Sequence, residues 1–424
     1  MYTGILQFPL SQRARHIGAA APSVSCGFRR AIGALTLRWC QEPLFSSRQP
    51  VAALIVLCLY AVQISSTPAV AAALATSSPA PMQRIAVAAN GRGFIRVKSG
   101  RAFYPWGFNY GNRGRLIEDF WDRHWPTVTK DFQNIKAMGA NVVRVHLQYG
   151  KFMLAPNKPN AAAFKMLSRL LVLAQRTRRY LDLTGLACYR VADVPKWYNA
   201  MNDKQRWAAQ EKFWKAVAAT CARSHAVFCY DLVNEPISPG PQLAGHWQPK
   251  SSFGGYDFLQ YIALNPGNTD RQKLAALWIA AMTRAIRSRD KKTLITVGLL
   301  LWVPRWGWLS GFVPRIIAPN VDFISIHIYP QAKHLHQAMV VLRKCAVGKP
   351  VVIEETFPLS CSAAEEEQFL LKSRAIACGW LGHYDGYTLQ DYARLARKHR
   401  LSIGQAIYRA WEQMFVKLKP RFVR

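Results

Sequence analysis

Eight short runs rich in β-branched and aromatic residues recur along residues 90–424, separated by stretches with helical spacing, and this alternation restricts the fold more than any other feature of the chain. The expected strands are Phe103–Phe108, Asn141–Leu147, Leu181–Cys188, Val227–Asn234, Thr293–Leu300, Val321–Ile328, Val351–Glu355 and Ala375–Tyr384. Helical patterns between them include Val128–Met138, Ala161–Arg178, Asp203–Ala222, Leu274–Arg289 and Ala364–Lys372. Repeated β/α units build a parallel sheet that either closes into a (β/α)8 barrel or stays open and doubly wound. The open sheet calls for a glycine-rich phosphate turn directly after its first strand. Here Gly91-Arg92-Gly93 precedes a strand instead of following one, and no GxxxxGK[ST] or GxSxG sequence occurs. The expected fold class is therefore α/β, a (β/α)8 TIM barrel over residues 90–424. That span exceeds the roughly 250 residues of a typical barrel, so loop insertions are expected.

The first 90 residues read differently. Residues 1–48 form a basic leader without hydrophobic periodicity, and residues 1–50 hold six arginines against Glu42 alone. The twelve apolar residues Val51–Val62 follow, then the small-residue stretch Pro68–Ala75. An apolar run this short suits a signal peptide better than a membrane span, which needs about 20 residues. Residues 49–75 are expected to be a signal peptide cleaved near Ala71 or Ala75, or an anchor at residues 51–64, and 76–89 a linker. The protein is thus expected to be exported, periplasmic or extracellular, and monomeric.

Charge raises a separate question. Lys and Arg number 56 against 23 Asp and Glu, a net +33, and an imbalance of that size usually points to a polyanionic partner. Removing residues 1–75 takes away six cations and one anion and leaves +28, so the basic character belongs to the folded part. The basic runs Arg176–Arg179, Arg287–Lys292 and Arg394–Arg400 lack interleaved aromatics and read as solvated helix faces, and no nucleic-acid partner is expected. Of nine cysteines, six (Cys188, Cys221, Cys229, Cys345, Cys361, Cys378) fall after the leader; disulfides and buried thiols both fit them. No CxxC pair with zinc spacing occurs, and neither metal nor organic cofactor is expected.

Chemistry concentrates at two strand ends. One is Tyr230 to Pro236, where an apolar strand finishes in Asn234-Glu235 and a proline that cannot continue the ladder; the other is Lys349 to Glu355. In a (β/α)8 barrel, catalytic groups sit at the carboxyl ends of the strands, and strands four and seven face each other across the mouth. One glutamate from each could flank a sugar bond, one protonated to serve the leaving oxygen and one ionised to attack. Side chains alternate along a strand, so of Glu354 and Glu355 only one is expected to face the mouth, and Glu355 is assigned. Trp302, Trp306 and Trp308 follow strand five and suit either a stacking platform for sugar rings or core packing. The segment 237–270 is expected to be a loop insertion shaping the cleft.

Five motifs in order, over roughly Gly93 to Tyr384, make the chain resemble glycoside hydrolase family 5, the cellulase and β-mannanase family. They are Phe103–Tyr110, Asn141–His146, Asn234-Glu235-Pro236, His327-Ile328-Tyr329 and Lys349–Glu355. The resemblance implies a retaining O-glycosyl hydrolase acting on a β-linked polysaccharide, β-1,4-glucan or β-mannan. It implies Glu235 as acid/base and Glu355 as nucleophile, with Asn234 on the 2-hydroxyl of the reacting sugar. By the same resemblance Tyr329 hydrogen-bonds the nucleophile, His327 lines the subsite and Arg144 holds the nucleophile ionised; Trp302, from its place after strand five, and His383 are further candidates for substrate contact. The chain departs from the family where a strand-eight tryptophan is usual, a position that falls on His383, and where Ala187-Cys188-Tyr189 replaces a strand-three histidine. The departure leaves a second reading open, a carbohydrate-binding pseudoenzyme or envelope-anchored glycan-interaction protein.

Overall fold

The structure is a computed structural model that describes residues 81–239, 248, 252–253, 255–300 and 310–423. The chain divides into two units, Met1–Thr76 and Ser77–Arg424. The expected leader, signal or anchor segment and cleavage region fall outside the described residues, as do Trp247, Trp302, Trp306 and Trp308. Among the described residues no helix is long and apolar enough to cross a membrane.

Eight parallel strands close into a barrel: β1 Trp106–Tyr110, β2 Val142–Gln148, β3 Tyr180–Ala187, β4 Val227–Asn234, β5 Leu294–Leu300, β6 Ile324–His327, β7 Val351–Glu355 and β8 Gly379–Tyr384. β8 pairs with β1 from Trp380↔Trp106 to Tyr384↔Tyr110, which joins the ends of the sheet. The outer layer holds α1 Trp125–Ala137, α2 Ala161–Thr177, α3 Asp203–Cys221, α4 Arg271–Arg287, the single turn α5 Pro314–Ile317, α6 Leu335–Lys344, α7 Ala363–Ser373, α8 Leu389–Arg397 and α9 Ile403–Phe422. Side-chain caps start several of them: Asn202 opens α3, Ser362 opens α7 and Ser402 opens α9, each in a reciprocal capping box.

Three expected boundaries shift for local reasons. The first strand starts at Trp106, because Pro105, with no N–H for a ladder, separates it from Ala102–Phe103. That dipeptide instead joins an antiparallel ribbon with Ile85–Val87 and Phe94–Arg96, so the segment 76–89 contributes a strand and is more than a linker. In the sixth strand, the 3-10 turn Ala318–Asn320 delays the start to Ile324, and the eighth starts at Gly379, not Ala375. The ribbon covers the amino-terminal end of the barrel, where Phe94 meets Phe228 and Phe323 edge to face at 5.1 and 5.2 Å.

The apolar core lies between strands and helices, with Trp214 of α3, Trp278 of α4 and Trp411 of α9 all fully buried. The inside of the barrel is polar. Arg144, Asp182, Thr184, Asp231, Thr296, Ser325, His327 and Glu354 each have no solvent exposure, and they come from β2 to β7. All six described cysteines are free thiols, five of them buried, which resolves the cysteine question in favour of thiols.

Candidate active site

Glu235 follows the last residue of β4 with a left-handed backbone, φ 47°, a conformation that costs a non-glycine residue about 1–2 kcal/mol. Such strain persists where surrounding structure over-determines it, often at functional sites. Here the Glu235 N–H donates to the Gly298 carbonyl of β5 at 3.0 Å, and Pro236-Ile237 turns away to pair with Gln260-Tyr261. The carboxylate thereby reaches His327, whose Nδ1 lies 2.9 Å from Oε1. Glu355 ends β7, and its Oε1 accepts from Arg144 while its Oε2 accepts from the Tyr329 hydroxyl at 2.6 Å. Nearest ligand atoms of Glu235, His327 and Glu355 lie within 4.8 Å of one another. Both glutamates are 8% exposed at the open rim, which leaves them reachable.

Strand alternation misjudged Glu354. The β6–β7 register shifts between Ile326↔Ile353 and His327↔Glu355, an irregularity that skips Glu354 and turns both acids inward. Glu354 sits one layer below the rim, fully buried, accepting from Ser325 Oγ at 2.9 Å and standing 3.6 Å from Arg144 and 3.5 Å from His327 Nε2. Glu355 remains the rim residue.

Arg144 is the hub. From β2 its guanidinium donates to Asn109 Oδ1 at 2.8 Å, Asp231 Oδ2 at 2.7 Å and Asn234 Oδ1 at 3.0 Å, besides Glu355. With its oxygen tied down, Asn234 Nδ2 makes, among the described residues, a long 3.5 Å contact to the Phe258 carbonyl, so that amide can serve a ligand. Burial by itself would raise the Glu355 pKa; the positive charges of His327 and Arg144 outweigh it and hold the carboxyl well below the ordinary range. Burial would likewise lower that of His327, yet the Glu355 charge and the bond to Glu235 lift it to about 10. His327 is therefore an imidazolium at neutral pH.

Sequence reasoning missed the layer beneath. Asp182 of β3 pairs in register with Arg144, and its oxygens have no hydrogen-bond partner among the described residues, although they lie within 4.8 Å of ligand atoms on Asp231 and Glu354. Burial and the neighbouring Glu354 charge push the Asp182 pKa well up, and burial pushes Asp231 to about 6. Gly298 makes room for the cluster, since a Cβ there would come 2.8 Å from His327 Nε2 and 3.0 Å from Glu354 Oε2. The signal was in the sequence: charged residues inside strands covered on both faces must find partners. Among the described residues two clusters, Glu235–His327–Glu355 and Asp182–Asp231–Glu354, bring atoms able to ligate a cation within 4.8 Å of one another, and His327 and Arg144 set positive charge against their carboxylates.

On β8, His383 pairs in register with Asn109, and its ring stacks on Tyr329 at 6.1 Å and 18°. Its Nε2 lies 3.1 Å from the Tyr329 hydroxyl. On the β3 side, His146 Nδ1 meets the Tyr189 hydroxyl at 2.5 Å, and Tyr189 packs against Phe258 of the strand-four insertion at 5.0 Å. The structure thus gathers Arg144, Asn234, Glu235, His327, Tyr329, Glu355 and His383 at one mouth. His334 and His336, by contrast, are solvent-exposed at the start of α6.

Residues 106–358 match the family described as cellulase (glycosyl hydrolase family 5). The chain belongs to glycosyl hydrolase family 5. No curated protein matches the chain. Among solved structures, it is similar to an endo-1,4-β-mannanase from Eisenia fetida, with TM-score 0.53 and 16% identity over 79% of this chain and 95% of that one. It is also similar to the β-mannanase of the blue mussel Mytilus edulis, with TM-score 0.55 and 14% identity over 81% and 98% of the two chains. An exo-β-1,4-mannosidase from Opitutaceae bacterium strain TAV5 aligns with TM-score 0.56 and 15% identity over 79% of this chain, which spans only 62% of that protein. At these identities the likeness establishes the barrel, and Asn234-Glu235, His327, Tyr329 and Glu355 lie at or just beyond the carboxyl ends of its strands.

Proposed function

We propose that the chain is a retaining glycoside hydrolase that cleaves a β-linked polysaccharide by double displacement. The observation that carries this reading is the pairing of Glu235 and Glu355, with carboxylate oxygens within 4.8 Å across the mouth and Glu355 held ionised between Arg144 and Tyr329. Retaining glycosidases place their two carboxyl groups about 5–5.5 Å apart. In the first step Glu355 attacks the anomeric carbon while the bond to the leaving oxygen breaks and Glu235 delivers a proton to that oxygen. In the second, Glu235 takes a proton from water, the water oxygen attacks the anomeric carbon, and the Glu355 carboxylate departs. His327 Nδ1, 2.9 Å from Glu235 Oε1, holds that carboxyl in place at the rim.

β-Mannan is the preferred substrate class, with β-1,4-glucan second, because mannan-active enzymes recur among the structural neighbours. Asn234 Nδ2 is the group that would meet the 2-hydroxyl, the one position that distinguishes mannose from glucose. Export through residues 49–75, or retention at a membrane by 51–64, and a monomeric state complete the reading. The test is hydrolysis of a panel of β-mannans and β-glucans with the product anomer followed by NMR. Glu235→Gln and Glu355→Gln should each lower the rate by at least about 10²–10⁴-fold. No hydrolysis by the parent, variants equal to it, or an inverted product would overturn the proposal.

A further inference from the structure

At the end of the barrel opposite the glutamates lies a cavity of about 620 Å³, within the range of small-molecule sites, roughly 300–1,000 Å³. It opens between the amino-terminal ends of β7 and β8, the turn before Phe94 and the last turn of α9. Four cations from four separate segments line it: Arg92, Lys349, Arg374 and Arg421. No acidic residue does. Among the described residues none of the four is ion-paired with a carboxylate. Its apolar wall includes the buried Trp380 and Phe422, and the Arg374 guanidinium stands 5.3 Å over the Phe422 ring.

Like charges brought together without counter-charge repel, and a folded chain keeps such a cluster at a cost unless an anion offsets it. Three planar guanidinium forks and one ammonium suit phosphate oxygens, which accept paired N–H donors in a way a spherical halide cannot. Lys349 gives one proton to the Val321 carbonyl, which fixes its stem at the cavity and leaves two donors. We propose that this cavity binds phosphate groups, carried either by a free polyphosphorylated small molecule or by a phospholipid headgroup. The site is independent of glycan cleavage, because none of its residues approaches the mouth.

The experiment uses the full chain at about 0.1 M salt, where charges separated by more than about 10 Å are screened and adjacent ones still act. Inorganic pyrophosphate is titrated by calorimetry, and sedimentation compares phosphatidylglycerol with phosphatidylcholine vesicles. Pyrophosphate should bind saturably, one per chain, or phosphatidylglycerol vesicles should carry the protein down; the first outcome assigns the free phosphate source and the second the headgroup. In either arm, Arg374→Glu/Arg421→Glu should weaken binding at least about tenfold. The neutral pair Arg374→Gln/Arg421→Gln should weaken it less, and Arg176→Glu, exposed at the end of α2, should leave it unchanged. Melting curves and glycan hydrolysis report that each variant is folded. Absence of binding in both arms, binding indifferent to residues 374 and 421, or an equal loss in Arg176→Glu would overturn the proposal.

Discussion

Tyr329 has one hydroxyl proton, and Glu355 takes it at 2.6 Å. The 3.1 Å contact with His383 must then run the other way, with Nε2–H donating to the tyrosine oxygen. Burial, with the charges of Arg144 and His327 and against that of Glu355, lowers the His383 pKa and favours the neutral ring, whose Nε2–H is the donor this contact needs. A chain His383 to Tyr329 to Glu355 follows, in which each hydrogen bond polarises the next. Where the family usually offers a tryptophan face, this chain offers a donor that steadies the attacking carboxylate. His383→Phe keeps the ring and removes that donor. We expect about a fivefold to tenfold loss in kcat, with the acid limb of kcat/KM moved to higher pH because Glu355 becomes easier to protonate. His383→Gln should recover part of both. A His383→Phe profile superimposable on that of the parent would show that the ring serves packing alone.

At the scale of elements, α9 closes the barrel through aromatic contact. Trp411 stacks on Phe415 at 4.7 Å, and Phe415 on Trp106 of β1 at 3.9 Å. β8 accommodates the helix only because residue 382 has no side chain: a Cβ there would come 1.9 Å from Trp411. Gly382→Ala should therefore destabilise the domain by about 1–3 kcal/mol in urea unfolding, and a smaller partner in Gly382→Ala/Trp411→Phe should return part of it. Activity should fall too, since the Gly382 carbonyl holds Asn109, which holds Arg144. Neither α9 nor α8 was legible beforehand, because their apolar residues are diluted by basic ones and α9 contains Gly404 and Pro420. The eight strands were legible, since apolar runs ending in Asn-Glu-Pro or Glu-Glu carry both their period and their chemistry. The inner acids were only half legible: a charge inside a strand covered on both faces must find a partner, but the sequence does not say which one. Asp182 and Asp231 look like ordinary charges in apolar strands until register places them against Arg144 and Thr184.

For the molecule as a whole, pH dependence follows from which protons the fold grips. Burial lifts Glu118 and Glu366 to about 7 and Glu412 to about 9, while the Glu355 and Glu235 partners lift His327 to about 10 against its burial. Each binds its proton more tightly folded than unfolded, so its stabilisation is complete below the unfolded pKa, about 4.3 for Glu and 6.5 for His, and is lost as pH rises to the folded value. Glu355, shifted the other way, adds stability above its unfolded pKa that is lost in acid. Melting temperature should peak near pH 5 and fall toward pH 10, and His327→Gln should flatten the part of that fall above about pH 6.5. A melting temperature that instead rises from pH 5 to 9 would contradict the burial of these groups as protonated.

The buried thiols have a practical consequence. Cys188, Cys221, Cys229, Cys345 and Cys378 are spread from the end of β3 through α3 and β4 to the end of α6 and the entry to β8, and burial holds Cys345 and Cys378 as thiols with pKa values of about 12. An alkylating reagent needs a thiolate, so each cysteine reacts only when its own sector opens. The order in which they are labelled is a built-in record of how the barrel comes apart.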